Sequence, residues 1–191
     1  MRLFAAVVPP PEAIRELAVA AAPLRSLPQA AAVRWTGEPT WHLTLAFLGQ
    51  VDSGDLDALG TRFAAVVAAA GPAPQLRLAG GGRFGERALW ADVRGDTRAL
   101  GRLADEVAGA ARATGIDVDD RPFVPHLTLA RAGGRNGPAP KGVDLAPLVG
   151  ALSGFSGSPW TAGTLQLMRS HLGVGPAHYE TVAEWPLGDG R

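Results

Sequence analysis

Trp41-His42-Leu43-Thr44-Leu45-Ala46 returns 84 residues later as Pro125-His126-Leu127-Thr128-Leu129-Ala130, and the pair of hexapeptides sets the frame for the whole chain. Side chains of an extended strand alternate between faces. His42 and Thr44 therefore share one face and Leu43 and Leu45 the other, and the second copy repeats the arrangement. The leucines suit a core, which leaves an imidazole beside a hydroxyl on the open face. A spacing of 84 residues is too wide for a small tandem repeat. The copies read as belonging to two related lobes of a single domain spanning residues 1–191. A pseudo-two-fold between the lobes would bring both His–Thr faces to one central cleft.

Such a cleft has a definite chemistry. Two histidines can divide acid and base work, because neutral imidazole accepts a proton and imidazolium donates one near neutral pH. Threonine hydroxyls can donate hydrogen bonds to the non-bridging oxygens of a phosphate. Displacement at a phosphodiester needs in-line attack on one side of phosphorus and protonation of the leaving oxygen on the other. A histidine on each flank with threonines between them meets that need without a metal. A strand repeated for packing alone would account for the leucines, but not for both histidines and both threonines in a chain with four histidines.

Outward from the repeat, the pattern predicts an α+β fold with outer helices on largely antiparallel sheet. Leu3 to Val8 reads as a buried strand stopped by Pro9-Pro10-Pro11, after which Glu12 and the apolar spacing of Ile14, Leu17 and Ala21 predict a helix. Asp52-Ser53 opens a second helix through Leu56, Leu59 and Phe63, and Asp96 a third through Leu100, Leu103 and Val107. Gln75 to Ala79 and Ala88 to Val93 read as a hairpin with a glycine-rich turn between them. Further strands are expected at 42–48, 126–130, 164–168 and 179–185, with a weak helix before the last two. The Gly- and Pro-rich stretch 133–142 is expected to be a mobile loop.

Composition narrows the function. The chain has 191 residues, 47% hydrophobic and 19% charged, with 18 Lys+Arg against 18 Asp+Glu and no cysteine. A zero net charge is unlike a wrapper of long nucleic acid, although it leaves room for a site for one phosphate. Without cysteine there is no disulfide, thiol nucleophile or Cys-ligated zinc. No apolar run is long enough for a signal peptide or a membrane span, so a cytoplasmic location and no membrane partner are expected.

Other motifs give less. Gly80-Gly81-Gly82-Arg83-Phe84-Gly85 fits G-x-G-x-x-G, but the residues after it read as strand, where a dinucleotide site needs a helix. Gly154-Phe155-Ser156-Gly157-Ser158 misses the nucleophile elbow by its last glycine. Asp119-Asp120 reads as a solvated turn. His171 and His178 lack a threonine two places on and read as surface or structural histidines. Neither motif histidine has a second ligand at the usual metal spacing.

The residues match a known pattern. With two His-x-Thr-x motifs, the chain resembles the 2H phosphoesterases, specifically the RNA 2′,3′-cyclic phosphodiesterases once described as 2′-5′ RNA ligases. The likeness extends to Arg2-Leu3-Phe4, Val33-Arg34-Trp35, Phe47-Leu48-Gly49, Ala88-Leu89-Trp90, Arg121 to Pro125 and Ser170 to Tyr179. It implies a bilobal α+β fold and opening of a 2′,3′-cyclic phosphate to a 2′-phosphate with no cofactor or metal. His42 would be the proton donor and His126 the proton acceptor. Thr44, Thr128 and Arg131 would hold the phosphate, and Phe4 and Phe47 would stack on the terminal base. The implied partners are RNA 3′ ends, or nucleotides, bearing the cyclic phosphate, with a monomer as the working unit.

Phe47 and Arg131 sit an odd number of residues from their histidines, so a regular strand would turn them to the leucine face. A strand end or a bulge would re-aim them. Three rivals stand beside this reading: making or cleaving 2′-5′ linkages or a small cyclic nucleotide with the same groups, holding RNA ends without turnover, and a di-histidine metalloenzyme that a chelator would inactivate.

Overall fold

The computed structural model describes residues 1–132, 142–171 and 177–188. The loop expected at 133–142 lies outside them except for its last residue. β1 (Arg2–Val7) is buried from Leu3 onward, and α1 (Pro11–Ala21) follows with proline at its first position and Glu12 in its first turn. Short 3₁₀ turns lead to β2 (Val33–Trp35) and then β3 (Leu43–Gln50). After α2 (Leu56–Ala69) come β4 (Gln75–Phe84), β5 (Ala88–Gly95) and α3 (Thr97–Arg112). The remainder is β6 (His126–Ala132), α4 (Ala146–Leu152), β7 (Trp160–Thr161), β8 (Thr164–His171) and β9 (His178–Pro186).

The strands form one sheet in the order β7-β4-β5-β6-β3-β1-β8-β9, with β2 beside β6, and its pairings are antiparallel. The expected mixed α+β class is therefore observed. Along that path, β2 aside, four strands lie on each side of the β3–β6 junction, which is held by a single register pair, Leu43↔Leu127. Leu17 of α1, Phe63 of α2, Leu100 and Val107 of α3 and Leu148 of α4 share one core with Leu43, Leu127, Leu89 and Val93 from the sheet. The helices thus cover the leucine face, and the opposite face carries a small separate cluster of Phe4, Ala6 and Met168. Among the described residues no helix is long and apolar enough to cross a membrane.

Two local expectations change. Gly80-Gly81-Gly82 is not a turn but the interior of β4, and the hairpin turns at Gly85, whose φ is +56°. The glycines are used for close approach: a Cβ on Gly82 would stand 2.1 Å from the Trp90 ring, and one on Gly81 would stand 2.9 Å from Leu152. Asp96 precedes α3 but makes no side-chain cap; its carboxylate accepts a hydrogen bond from the Gln75 amide at 3.0 Å, tying the helix start to β4.

Candidate active site

The single pair at the sheet centre joins equivalent positions of the repeat. An antiparallel pair has a local two-fold axis, and flanking residues change face together. With Leu43 and Leu127 both 0% exposed, His42, Thr44, His126 and Thr128 all fall on the opposite face, each half-buried. The sequence predicted the grouping within each strand; the junction brings the two groups together.

The conflict over Phe47 and Arg131 is resolved by a bulge in each strand. Ala6 faces Thr44, but its neighbour Ala5 faces Ala46, so Leu45 is an extra residue in β3. Beyond it Phe47 faces Phe4, on the face of Thr44. In β6, Trp90 faces Thr128 while Leu89 faces Ala130, so Leu129 is the extra residue and Arg131 comes to face Ala88. The two bulges occupy the same place in the repeat, and Phe47 and Arg131 are equivalent positions turned to the same face as the histidines.

Both imidazoles are anchored alike. Nδ1 of His42 lies 2.7 Å from the Thr40 carbonyl, and Nδ1 of His126 lies 2.7 Å from the Val124 carbonyl. A carbonyl only accepts, so each Nδ1 carries a proton and each neutral ring keeps its lone pair on Nε2. Thr44 Oγ1 stands 2.9 Å from His42 Nε2 and donates to it in that state. Thr36 Oγ1 accepts from the Trp41 indole at 2.9 Å and donates to the β6 carbonyls of Thr128 and Leu129, also at 2.9 Å, which locks the approach to the first motif against the second.

Aromatic rings brace each histidine. Phe4, 4% exposed, lies 4.8 Å from the His42 ring, and Tyr179 meets both edge-on, at 5.2 Å from His42 and 5.1 Å from Phe4. Phe47 is 54% exposed and 6.4 Å from Phe4. On the other side Phe84 lies 4.8 Å and Trp90 5.9 Å from His126. Tyr179, Phe84 and Trp90 escaped the sequence reading as site residues, although all three stood in quoted segments. So did Arg34, which pairs directly with Arg131 across β2 and β6.

Burial pushes the His42 pKa down to about 4; the hydrogen bond to the Thr40 carbonyl opposes this, and the charges of His126 and Arg131 add to it. Burial also lowers the pKa of His126, opposed by the Val124 carbonyl and reinforced by Arg131. In the free protein both rings are therefore neutral at pH 7. An arriving anion would raise both values, since an opposite charge favours the protonated ring. Elsewhere, His171 Nε2 contacts Glu180 at 2.9 Å at the β8–β9 end, and Asp119 and Asp120 pair with Arg121 and Arg112. Among the described residues no three His, Cys, Asp or Glu side chains gather as a metal site.

Known proteins resemble this chain in sequence and in fold. A family profile described as the 2′-5′ RNA ligase superfamily matches residues 9–173. An RNA 2′,3′-cyclic phosphodiesterase of Geobacillus stearothermophilus is 37% identical over 157 residues, 80% of this chain and 47% of that one, so the chain spans about half its length. Its Escherichia coli K12 counterpart of the same description is 30% identical over 147 residues, 76% of this chain and 75% of that one. The crystal structure of E. coli LigT complexed with 3′-AMP superposes with a TM-score of 0.76 at 26% identity, covering 98% of both chains.

Proposed function

The chain belongs to the 2′-5′ RNA ligase superfamily, and on that footing we propose that it hydrolyses the 2′,3′-cyclic phosphate at an RNA 3′ end to a 2′-phosphate. The observation that carries the proposal is the junction pair Leu43↔Leu127, with two identically anchored histidines and two threonines around it. The named relatives act on the same chemical group.

Water attacks phosphorus while His126 Nε2 takes its proton. The P–O3′ bond breaks on the opposite side, and the departing 3′-oxygen takes a proton from His42 Nε2. The product carries a 2′-phosphate and a free 3′-hydroxyl, and one proton has passed from His42 to His126. Solvent exchange restores both rings. Thr44, Thr128 and Arg131 hold the non-bridging oxygens, and their hydrogen bonds strengthen as negative charge grows there. Exposed Phe47 offers a face to the terminal base, whereas Phe4, beneath His42, orients that ring. Both motifs lie in one chain, so a monomer is a complete working unit.

His42 must be protonated to act as the acid, yet in the free cleft its pKa is about 4. The substrate's own phosphate charge supplies the missing stabilisation, so protonation accompanies binding. The test is hydrolysis of a short RNA ending in 2′,3′-cyclic phosphate, in EDTA, by the wild type, His42→Ala and His126→Ala, with phosphorus NMR of the product. A 2′-phosphate formed by the wild type and lost in both variants supports the mechanism. Undiminished turnover in either variant, or loss of wild-type activity in EDTA, overturns it.

A further inference from the structure

A second basic site lies further along the histidine face, and no part of the mechanism uses it. Arg77 of β4 faces Arg94 of β5 directly across the ladder. Like charges in that position repel, and nothing in a chain of zero net charge requires them there. Their neighbours Leu76, Leu78 and Val93 are buried, which turns both arginines to the other face. That is the face of Asp92, which pairs with His126. Arg94 is two residues beyond Asp92 on the adjacent strand, placing its backbone about 8 Å from that of His126.

The two arginines open on a cleft of about 360 Å³ whose far wall is the 153–156 segment, with the Ser156 residue at its rim. Gly80, at φ +74°, also lines it; a Cβ there would come 4.0 Å from the Arg94 guanidinium. Asp92 stands 3.7 Å from Arg94 Nε, offsetting one of the two charges.

We infer that Arg77 and Arg94 bind a backbone phosphate of the RNA strand upstream of its cyclic end, so that the protein prefers an oligoribonucleotide to a cyclic mononucleotide. The inference rests on the phosphodiesterase reading for the position of the end, while the anion site itself rests on the arginine pair and its cleft. Two guanidinium side chains from facing strand positions suit a phosphodiester, and sequence-independent contacts of this kind set register along a strand.

The experiment compares kcat/KM for a 2′,3′-cyclic mononucleotide and for a short oligoribonucleotide with the same end, in the wild type and in an Arg77→Gln/Arg94→Gln variant. Fluorescence anisotropy measures binding of the same oligoribonucleotide. The variant is expected to lose about tenfold or more on the oligoribonucleotide and to keep its rate on the mononucleotide, which also shows that it folds. Its dependence on salt should be shallower by about 0.7 in the log–log slope. Equal losses on both substrates, or no loss on either, overturn the site. If the wild type turns over neither substrate while the substitutions still weaken RNA binding, the phosphodiesterase reading fails and the anion site stands.

Discussion

Replacing His42 by Gln should make the protein resist acid better than the wild type. In the folded state burial holds the His42 pKa at about 4, against 6.5 for the ordinary ring. Stability changes with pH in the direction of the state that binds more protons. Between pH 6.5 and 4 the unfolded chain protonates this ring and the folded chain does not, so stability falls as pH falls through that window. Above it both states are neutral, and below it both are protonated, so the loss reaches a plateau. The shift corresponds to at most about 3 kcal/mol, an upper figure because the ring is half-buried and partly screened. Urea denaturation at pH 7 and at pH 4 measures the loss, and His42→Gln should lose less by up to that amount. Nitrogen-15 NMR of the imidazoles gives an independent check, with Nδ1 protonated in the neutral rings of His42 and His126. Equal acid losses in wild type and variant, or a His42 titration near 6.5, would show that the cleft does not desolvate this ring as argued.

The same pKa shifts bear on rate: with both rings depressed below the ordinary imidazole value in the free protein, kcat/KM should already be falling at pH 6.5 and keep falling as pH rises, whereas kcat, read with the substrate's charge in place, should hold to higher pH. Superimposable profiles would remove the role given to the substrate phosphate. Gly82→Ala would place a methyl 2.1 Å from the Trp90 ring and should cost about 1–3 kcal/mol, measured by denaturation. In a Trp90→Ala background the same substitution should cost almost nothing, and a full cost there would mean the clash lies elsewhere. Leu127→Ala empties a fully buried position at the junction of the motifs and should cost about 2–5 kcal/mol. Phe47→Ala should raise KM for an RNA end with little change in kcat; a fall in kcat alone would assign the ring to positioning.

Strand alternation alone sorted His-Leu-Thr-Leu into a chemical face and a core face, because period two is a local property of extended backbone. Proline and acidic residues marked the start of α1, and the repeat itself announced two matching strands. The segments that resemble known phosphodiesterases added only expectations, a direction of proton transfer and a set of residues to hold the phosphate. Local pattern failed at Gly80-Gly81-Gly82, where glycine suggested a turn; Gly81 and Gly82 are small because Leu152 and the Trp90 ring press on them from elsewhere in the fold.

What brings the site together was decided by tertiary structure. A bulge is two residues of one strand opposite one residue of another, so Leu45 and Leu129 become extra only against Ala5-Ala6 and Leu89-Trp90. No inspection of β3 or β6 alone can find that, yet it decides whether Phe47 and Arg131 face the cleft or the core. The same holds for Arg34 opposite Arg131, Arg77 opposite Arg94 and Tyr179 against His42, each distant in sequence from its neighbour. The amino-acid sequence determined which side chains each strand could present. Pairing across the sheet determined which of them meet, because register belongs to two chain segments at once.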